Sequence, residues 1–183
     1  ASQIFEEISK PFDVLKERYR LTMSMGISIC PSDANTADDL IRHADTAMFK
    51  VKSEGRNGHA FYNETLSDEL RERVNIEKLL HQRLDENALI IHYQPKYSLT
   101  TGAISGVEAL VRMLGHEEQL IPPDKFISVA EKSNLIQLLG EQVLTKSCLQ
   151  VKKWLDGGVK MGVAVNIGAS QFNAPGFVAL IAN

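Results

Sequence analysis

The run ISGVEALVRML, residues 104–114, sets one carboxylate and one guanidinium inside a segment that is otherwise apolar. Successive side chains of a strand point to opposite faces. Val107, Ala109 and Val111 therefore share one face, and Glu108, Leu110 and Arg112 share the other. Two opposite charges on one face of a short strand mark either a solvated edge or the floor of a polar site. The neighbouring elements decide between the two.

Those elements read as α/β. The run ALIIHYQPKYSL and ISGVEALVRML flank TTGA, a short loop containing glycine, which predicts a hairpin. PPDKFISVAEKSN predicts a helix with Pro in its first turn. LIQLLGEQVLTKSCLQVKKWLD predicts a longer helix stopped at Gly157 and Gly158. MGVAVNIGAS reads as a strand, and GFVALIAN as the start of another helix.

Upstream, RLTMSMGISIC, residues 20–30, reads as a strand ending at Pro31. TADDLIRHADTAMFKVKSEG then predicts a helix with Thr36 as N-cap, Asp39 at the capping-box position and Gly55 as the stop. HAFYN reads as a short strand. Residues 64–85, ETLSDELRERVNIEKLLHQRLD, predict a helix with a stripe of Leu66, Leu70, Val74, Leu79, Leu80 and Leu84. Its opposite face is charged, and it reads as a solvated connector. The expected organisation is residues 1–63, a connecting helix over 64–85, and a second part over 86–183.

An apolar share of 44% is enough to build cores, which argues against disorder. A net charge of −3 leaves no basic footprint for a nucleic-acid polymer. No apolar run approaches the ~18 residues of a membrane-spanning helix. Cys30 and Cys148 lie far apart and form no CxxC pair, so a reducing, cytoplasmic setting is expected. The five histidines show no metal-ligand spacing. The chain opens without Met and closes abruptly, so it is expected to be a piece of a longer protein. Upstream segments of that parent are free to include a membrane anchor.

Three predicted strands carry polar groups on one face. In MGVAVNIGAS, Val163, Val165 and Ile167 share a face, and Gly162, Ala164, Asn166 and Gly168 share the other. His92, Gln94 and Lys96 share a face of the first hairpin strand. Taken singly, each such residue is more often a solvated or hydrogen-bonded structural group. Side by side, Gln94, Glu108 with Arg112, and Asn166 would converge on one mouth. Glu108 and Asn166 are hard oxygen donors, suited to Mg²⁺ or Mn²⁺ rather than zinc. The Arg112 fork suits a phosphate oxygen. Together they point to phosphoryl chemistry.

The blocks YQPKYSLTTGAISGVEALVR, PPDKFISVAEKSNLIQLLG and VAVNIGASQF resemble the opening of an EAL domain, the cyclic di-GMP phosphodiesterase family. The triplet Glu108-Ala109-Leu110 is the family's signature. MSMGIS and ADTAMFKVKSEGRN resemble the end of a GGDEF domain, the diguanylate cyclase family. The resemblance implies a bacterial cyclic di-GMP signalling protein. Its fold would be the C-terminal part of a GGDEF α/β sandwich, a connecting helix, and the first portion of an EAL (β/α)8 barrel whose first strand runs antiparallel to the rest. It implies Glu108 and Asn166 as metal ligands, with Mg²⁺ or Mn²⁺ as cofactor. It implies Gln94, Leu110 and Arg112 as substrate-binding residues, with Arg112 on a phosphate. It implies Lys52 and Arg56, four apart on one helix face, as contacts to GTP phosphates. A solvated helix terminus, favourable to the helix dipole, is nearly as good a reading of that pair. A homodimer is compatible with the family.

The resemblance has gaps. No GGDEF signature occurs in the chain, and RMLGHEEQ stands where the family often has Trp followed by a His-Pro pair. The second part stops at Asn183, whereas a (β/α)8 barrel takes ~250 residues. The family's later ligands, an Asp pair, further Glu residues and a Lys, have no counterpart. The chain alone is therefore expected to be inactive, prone to self-association at an open sheet edge. The alternative to an enzyme is a degenerate GGDEF–EAL regulatory module that binds cyclic di-GMP, GTP or a protein partner without catalysis.

Overall fold

The computed structural model describes residues 2–182. The chain divides into two compact units, one up to Glu72 and one from Arg73.

The first unit opens with α1 (Ser2–Ser9) and a hairpin of β1 (Phe12–Val14) and β2 (Glu17–Tyr19), which pair antiparallel. Leu15 and Lys16 turn the hairpin with positive φ. Sequence patterning shows none of these three short elements. Next come β3 (Ser24–Ile27), α2 (Ala37–Ser53) and β4 (Gly58–Phe61). β3 and β4 pair in parallel around the crossover helix, the expected strand–helix–strand order. β3 covers only the centre of the predicted 20–30 run.

The predicted start of α2 is in place. The Thr36 hydroxyl accepts from the Asp39 N–H at 3.2 Å and donates to Asp39 Oδ2 at 2.7 Å. The helix lies directly on β3, because a Cβ at Gly26 would overlap the Ala44 carbonyl. Ala47 and Val51 are buried in this contact face.

The second unit takes in the later part of α3 (Glu64–Asp85) and then β5 (Ile90–Tyr97), β6 (Ile104–Leu114) and β7 (Leu120–Ile121). These are followed by α4 (Pro123–Lys132), α5 (Ile136–Asp156), β8 (Val163–Val165), α6 (Ala169–Phe172) and α7 (Phe177–Ala182). β5 and β6 form the predicted hairpin, antiparallel from Ile90 opposite Arg112 to Tyr97 opposite Ile104. β8 joins the other side of β6 in parallel, with Val107 opposite Val163. The first strand thus runs against the direction shared by the next two principal strands, as the EAL resemblance implies. β7 pairs only with the end of β6. Among the described residues, no helix is long and apolar enough to cross a membrane.

One core unites α3, β6, α4 and α5. It contains Ile76, Leu79, Leu80 and Leu84, with Met113, Phe126, Val129, Ile136, Leu139 and Val143. The stripe expected on 64–85 is buried at Leu66, Leu79, Leu80 and Leu84, and the later turns of α3 belong to the core of the second unit. The stripe differs at Val74, which is 41% exposed, and Ile76 is buried instead. Each four-residue step turns a helical row by about 40° about the axis. The row begun at Leu66 has swung towards solvent by Val74, and a new row begun at Ile76 continues through Leu80 and Leu84. Arg83 ties α3 to the end of β6, donating from Nε to the Leu114 carbonyl at 3.1 Å and from Nη2 to that of Gly115 at 3.2 Å.

Phe126 is fully buried at the centre of this core. Phe126→Ala should cost about 3–5 kcal/mol of the second unit's stability. Denaturant unfolding followed by the fluorescence of Trp154, the chain's one tryptophan, reads this directly.

Candidate functional site

The sheet β5–β6–β8 has two faces of opposite character. On one, Ile91, Val111 and Val165 pack against the helical core, and Val107, Ala109 and Met113 are buried. Tyr93 is on this side too, edge-on to Trp154 of α5 with ring centroids 4.9 Å apart. Burial pushes the Tyr93 phenol above its usual pKa. On the other face the alternation sets His92 and Gln94 from β5, and Glu108, Leu110 and Arg112 from β6. His92 and Gln94 are exposed, and the three β6 residues are half-buried.

The ladders then decide who meets whom. Gln94 lies directly opposite Glu108. On the other side Glu108 lies opposite Ala164, two residues before Asn166. β6 and β8 approach closely here: Val107 N–H donates to the Gly162 carbonyl at 2.9 Å, and a Cβ at Gly106 would stand 2.9 Å from that oxygen. β8 ends at Val165, so Asn166 sits just past its C-terminal end rather than within it. The predicted strand over MGVAVNIGAS is shorter because Gly168 and Ala169 already open α6. The side chain of Asn166 reaches back over the sheet, and its Nδ2 donates to Glu108 Oε1 at 2.7 Å. The two residues singled out as oxygen donors are therefore in direct contact.

Arg112 is on the same face but not in that contact. Its Nη1 donates to the Val111 carbonyl at 2.8 Å. Four residues of strand place it about 13 Å beyond Glu108, towards the C-terminal end of β6. Leu110 lies between them, opposite His92. The order along β6 is a carboxylate, an apolar residue, then a guanidinium bonded to its own strand.

The donor set fits a hard divalent cation in part. Glu108 Oε2 and Asn166 Oδ1 are both oxygens without a protein partner among the described residues. No group of three His, Cys, Asp or Glu occurs among the described residues that could hold a metal. A cation at this point would take two of its roughly six ligands from these two residues.

Lys52 and Arg56 do not share a helix face, which corrects the expectation. α2 ends at Ser53. Gly55 adopts φ +113 and Arg56 φ 65, and the Arg56 N–H returns to the Val51 carbonyl at 2.9 Å. That is the closing bond of a glycine-terminated helix. Lys52 remains on the last turn, Arg56 belongs to the following turn, and both are exposed.

The sequence reading missed Gln171. It is buried, and it bonds both the Gly168 N–H and the Ile136 carbonyl. Its signal was Gly140, a glycine inside a long helix, which implies close approach by another group.

A family model described as the EAL domain matches residues 77–183, and one described as the diguanylate cyclase GGDEF domain matches residues 1–58. The chain belongs to the EAL family, preceded by the end of a GGDEF domain. The bifunctional diguanylate cyclase/cyclic di-GMP phosphodiesterase MucR of Pseudomonas aeruginosa is 37% identical over all of this chain and 27% of its own length. The cyclic di-GMP phosphodiesterase PdeR of Escherichia coli is 38% identical over 93% of this chain and 26% of its own. The chain spans about a quarter of the length of the curated relatives it matches. Among solved structures, a PaMucR phosphodiesterase in complex with c-di-GMP is 41% identical, with TM-score 0.55 over 58% of this chain and 44% of that one. The Xanthomonas citri FimX EAL domain is 22% identical, with TM-score 0.54 over 63% and 44%, and supports the fold alone.

The Glu108–Asn166 contact has a direct test. Asn166→Asp sets two carboxylates in place of a hydrogen-bonded pair, which raises the pKa of one of them. A raised folded-state pKa costs stability at neutral pH and returns it as pH falls through that value. The variant should melt below the wild type at neutral pH, approach it in mild acid, and recover at neutral pH with added Mg²⁺.

Proposed function

We propose that the chain is part of a bacterial cyclic di-GMP signalling protein. In that protein the EAL domain hydrolyses cyclic di-GMP to linear pGpG. The observation that carries this reading is the contact between Glu108 and Asn166 on the open sheet face. Catalytic groups of (β/α)8 barrels gather at the C-terminal ends of the strands. Asn166 lies just past the end of β8, and Arg112 is near the end of β6. The relatives named as cyclic di-GMP phosphodiesterases and the c-di-GMP complex support the substrate class.

Each residue then has a part. Glu108 and Asn166 are the residues that would hold a divalent cation, Mg²⁺ or Mn²⁺. Such an ion would supply Lewis-acid chemistry, activating a water and offsetting phosphate charge. The Arg112 fork orients a phosphate oxygen of the dinucleotide. Gln94, opposite Glu108, offers its amide to a guanine edge, and Leu110 supplies an apolar wall beside it. In hydrolysis water adds to phosphorus, one P–O bond to a ribose breaks, and the released hydroxyl takes a proton. Lys52 and Arg56, exposed at the end of the GGDEF part, offer cations to GTP phosphates. Their separation across a turn makes them two point contacts rather than one helix-face clamp.

Two protein donors, only one of them charged, leave most of an octahedral shell to water and hold the ion weakly. The 183-residue chain, supplied with Mg²⁺ or Mn²⁺ and cyclic di-GMP, should therefore release no pGpG. The full-length parent should release it, and Glu108→Ala or Asn166→Ala in that parent should lower kcat/KM by more than about 100-fold, exceeding the loss typical of residues that only support a metal ligand. Chromatographic quantification of pGpG decides. A parent that binds cyclic di-GMP without releasing pGpG would make the protein a regulatory module instead.

A further inference from the structure

Asn166 lies beyond the last β6–β8 pair, Ala109 opposite Val165, so no paired residue across the sheet fixes its side chain. Its side chain is exposed. The next fixed point along the chain is Gly168. The Gly168 N–H donates to Gln171 Oε1 at 3.0 Å. The other end of the same amide, Nε2, donates to the Ile136 carbonyl at 2.9 Å, in the first turn of α5. Gln171 is only 6% exposed. A buried side-chain amide with both ends engaged makes a rigid link between two backbone segments.

The helix is shaped to receive it. The Gln171 amide lies against Gly140, where a Cβ would overlap Nε2. A glycine inside a helix is about 1 kcal/mol worse than alanine. The space is retained against that penalty. A second glutamine grips the same turn from outside: Gln137 Nε2 donates to the Ser170 carbonyl at 3.1 Å.

We propose that Gln171, seconded by Gln137, is a positioning residue that clamps the 166–170 turn onto α5 and so holds the Asn166 amide on the Glu108 carboxylate. The inference rests on the reading of Glu108 and Asn166 as the site. Gln171 acts at a distance, through Ile167, the one residue between Asn166 and Gly168.

The test uses the ¹⁵N-labelled 183-residue chain and the side-chain amide resonances of Asn166, assigned by their loss in Asn166→Asp. Glu108→Gln gives the reference position without the charge-assisted bond. In Gln171→Met these resonances should move most of the way to that reference, while the Trp154 indole and the β6 backbone amides stay in place. Gln171→Glu keeps an acceptor for Gly168 but loses the donor to Ile136, and should move them only part of the way. Gln137 is exposed, so Gln137→Ala should leave the fold intact and move them in the same direction by a smaller amount. Asn166 resonances unmoved in both Gln171→Met and Gln137→Ala would overturn the proposal and leave Gln171 a packing residue. If Gln171→Met does not fold, an unmoved Gln137→Ala spectrum overturns it alone. Adding Mn²⁺ separates the two readings. Paramagnetic broadening of the Asn166 amide in the wild type, weakened in Gln171→Met, supports both. A wild type that Mn²⁺ does not broaden defeats the metal assignment, and the shift comparison still decides the clamp.

Discussion

Strand β6 is paired on both sides, and the rest of the second unit depends on those two ladders. Its antiparallel partner β5 brings Gln94 opposite Glu108, and its parallel partner β8 ends where Asn166 can turn back over the same carboxylate. Side chains alternate with a period of two, so a slip of one residue in either ladder would send Glu108 into the helical core and Val107 to the open face. The apolar positions of β6 oppose that slip. Met113 is fully buried, and Ala109 and Val107 nearly so. The hydrophobic effect on one face thus sets the register that assembles a polar site on the other.

The site is correspondingly built from two kinds of support. The strand residues are positioned by a ladder whose energy is spread over many bonds. Asn166 follows the last paired residue of β8, and its side chain has no paired neighbour across the sheet. Its position depends on the turn into α6, and that turn is tied to α5 through side-chain amides. Helix packing and site geometry are therefore coupled: α5 covers the apolar face of the sheet and also bonds the turn that follows Asn166 on the opposite face.

Much of this was legible in the chain. The alternation in VEALVR separates buried from open-face residues as expected, and the capping box at Thr36 and Asp39 starts α2 where expected. Both are local rules, set by strand periodicity and by the needs of unpaired helix N–H groups. The misreadings are also local rules, applied past their range. Helical spacing extends Lys52 to Arg56, but a glycine with positive φ ends the helix between them. Helical spacing assigns Val74 to the buried stripe of α3, whereas which side of a long helix is buried changes with the partner available along its length. Apolar alternation extends β8 through Ile167, but the β6–β8 ladder stops at Val165 and α6 opens soon after.

The amino-acid sequence by itself determined the family and which polar residues share one strand face, because side-chain type and strand periodicity are local properties. Only the tertiary structure decided that Glu108 and Asn166, 58 residues apart, share a 2.7 Å hydrogen bond. Only it showed that Arg112 stands apart from them, and that Gln171 reaches across to α5. Those facts follow from strand order, ladder register and the seating of one helix on a sheet, which are contacts between distant segments that no local pattern encodes.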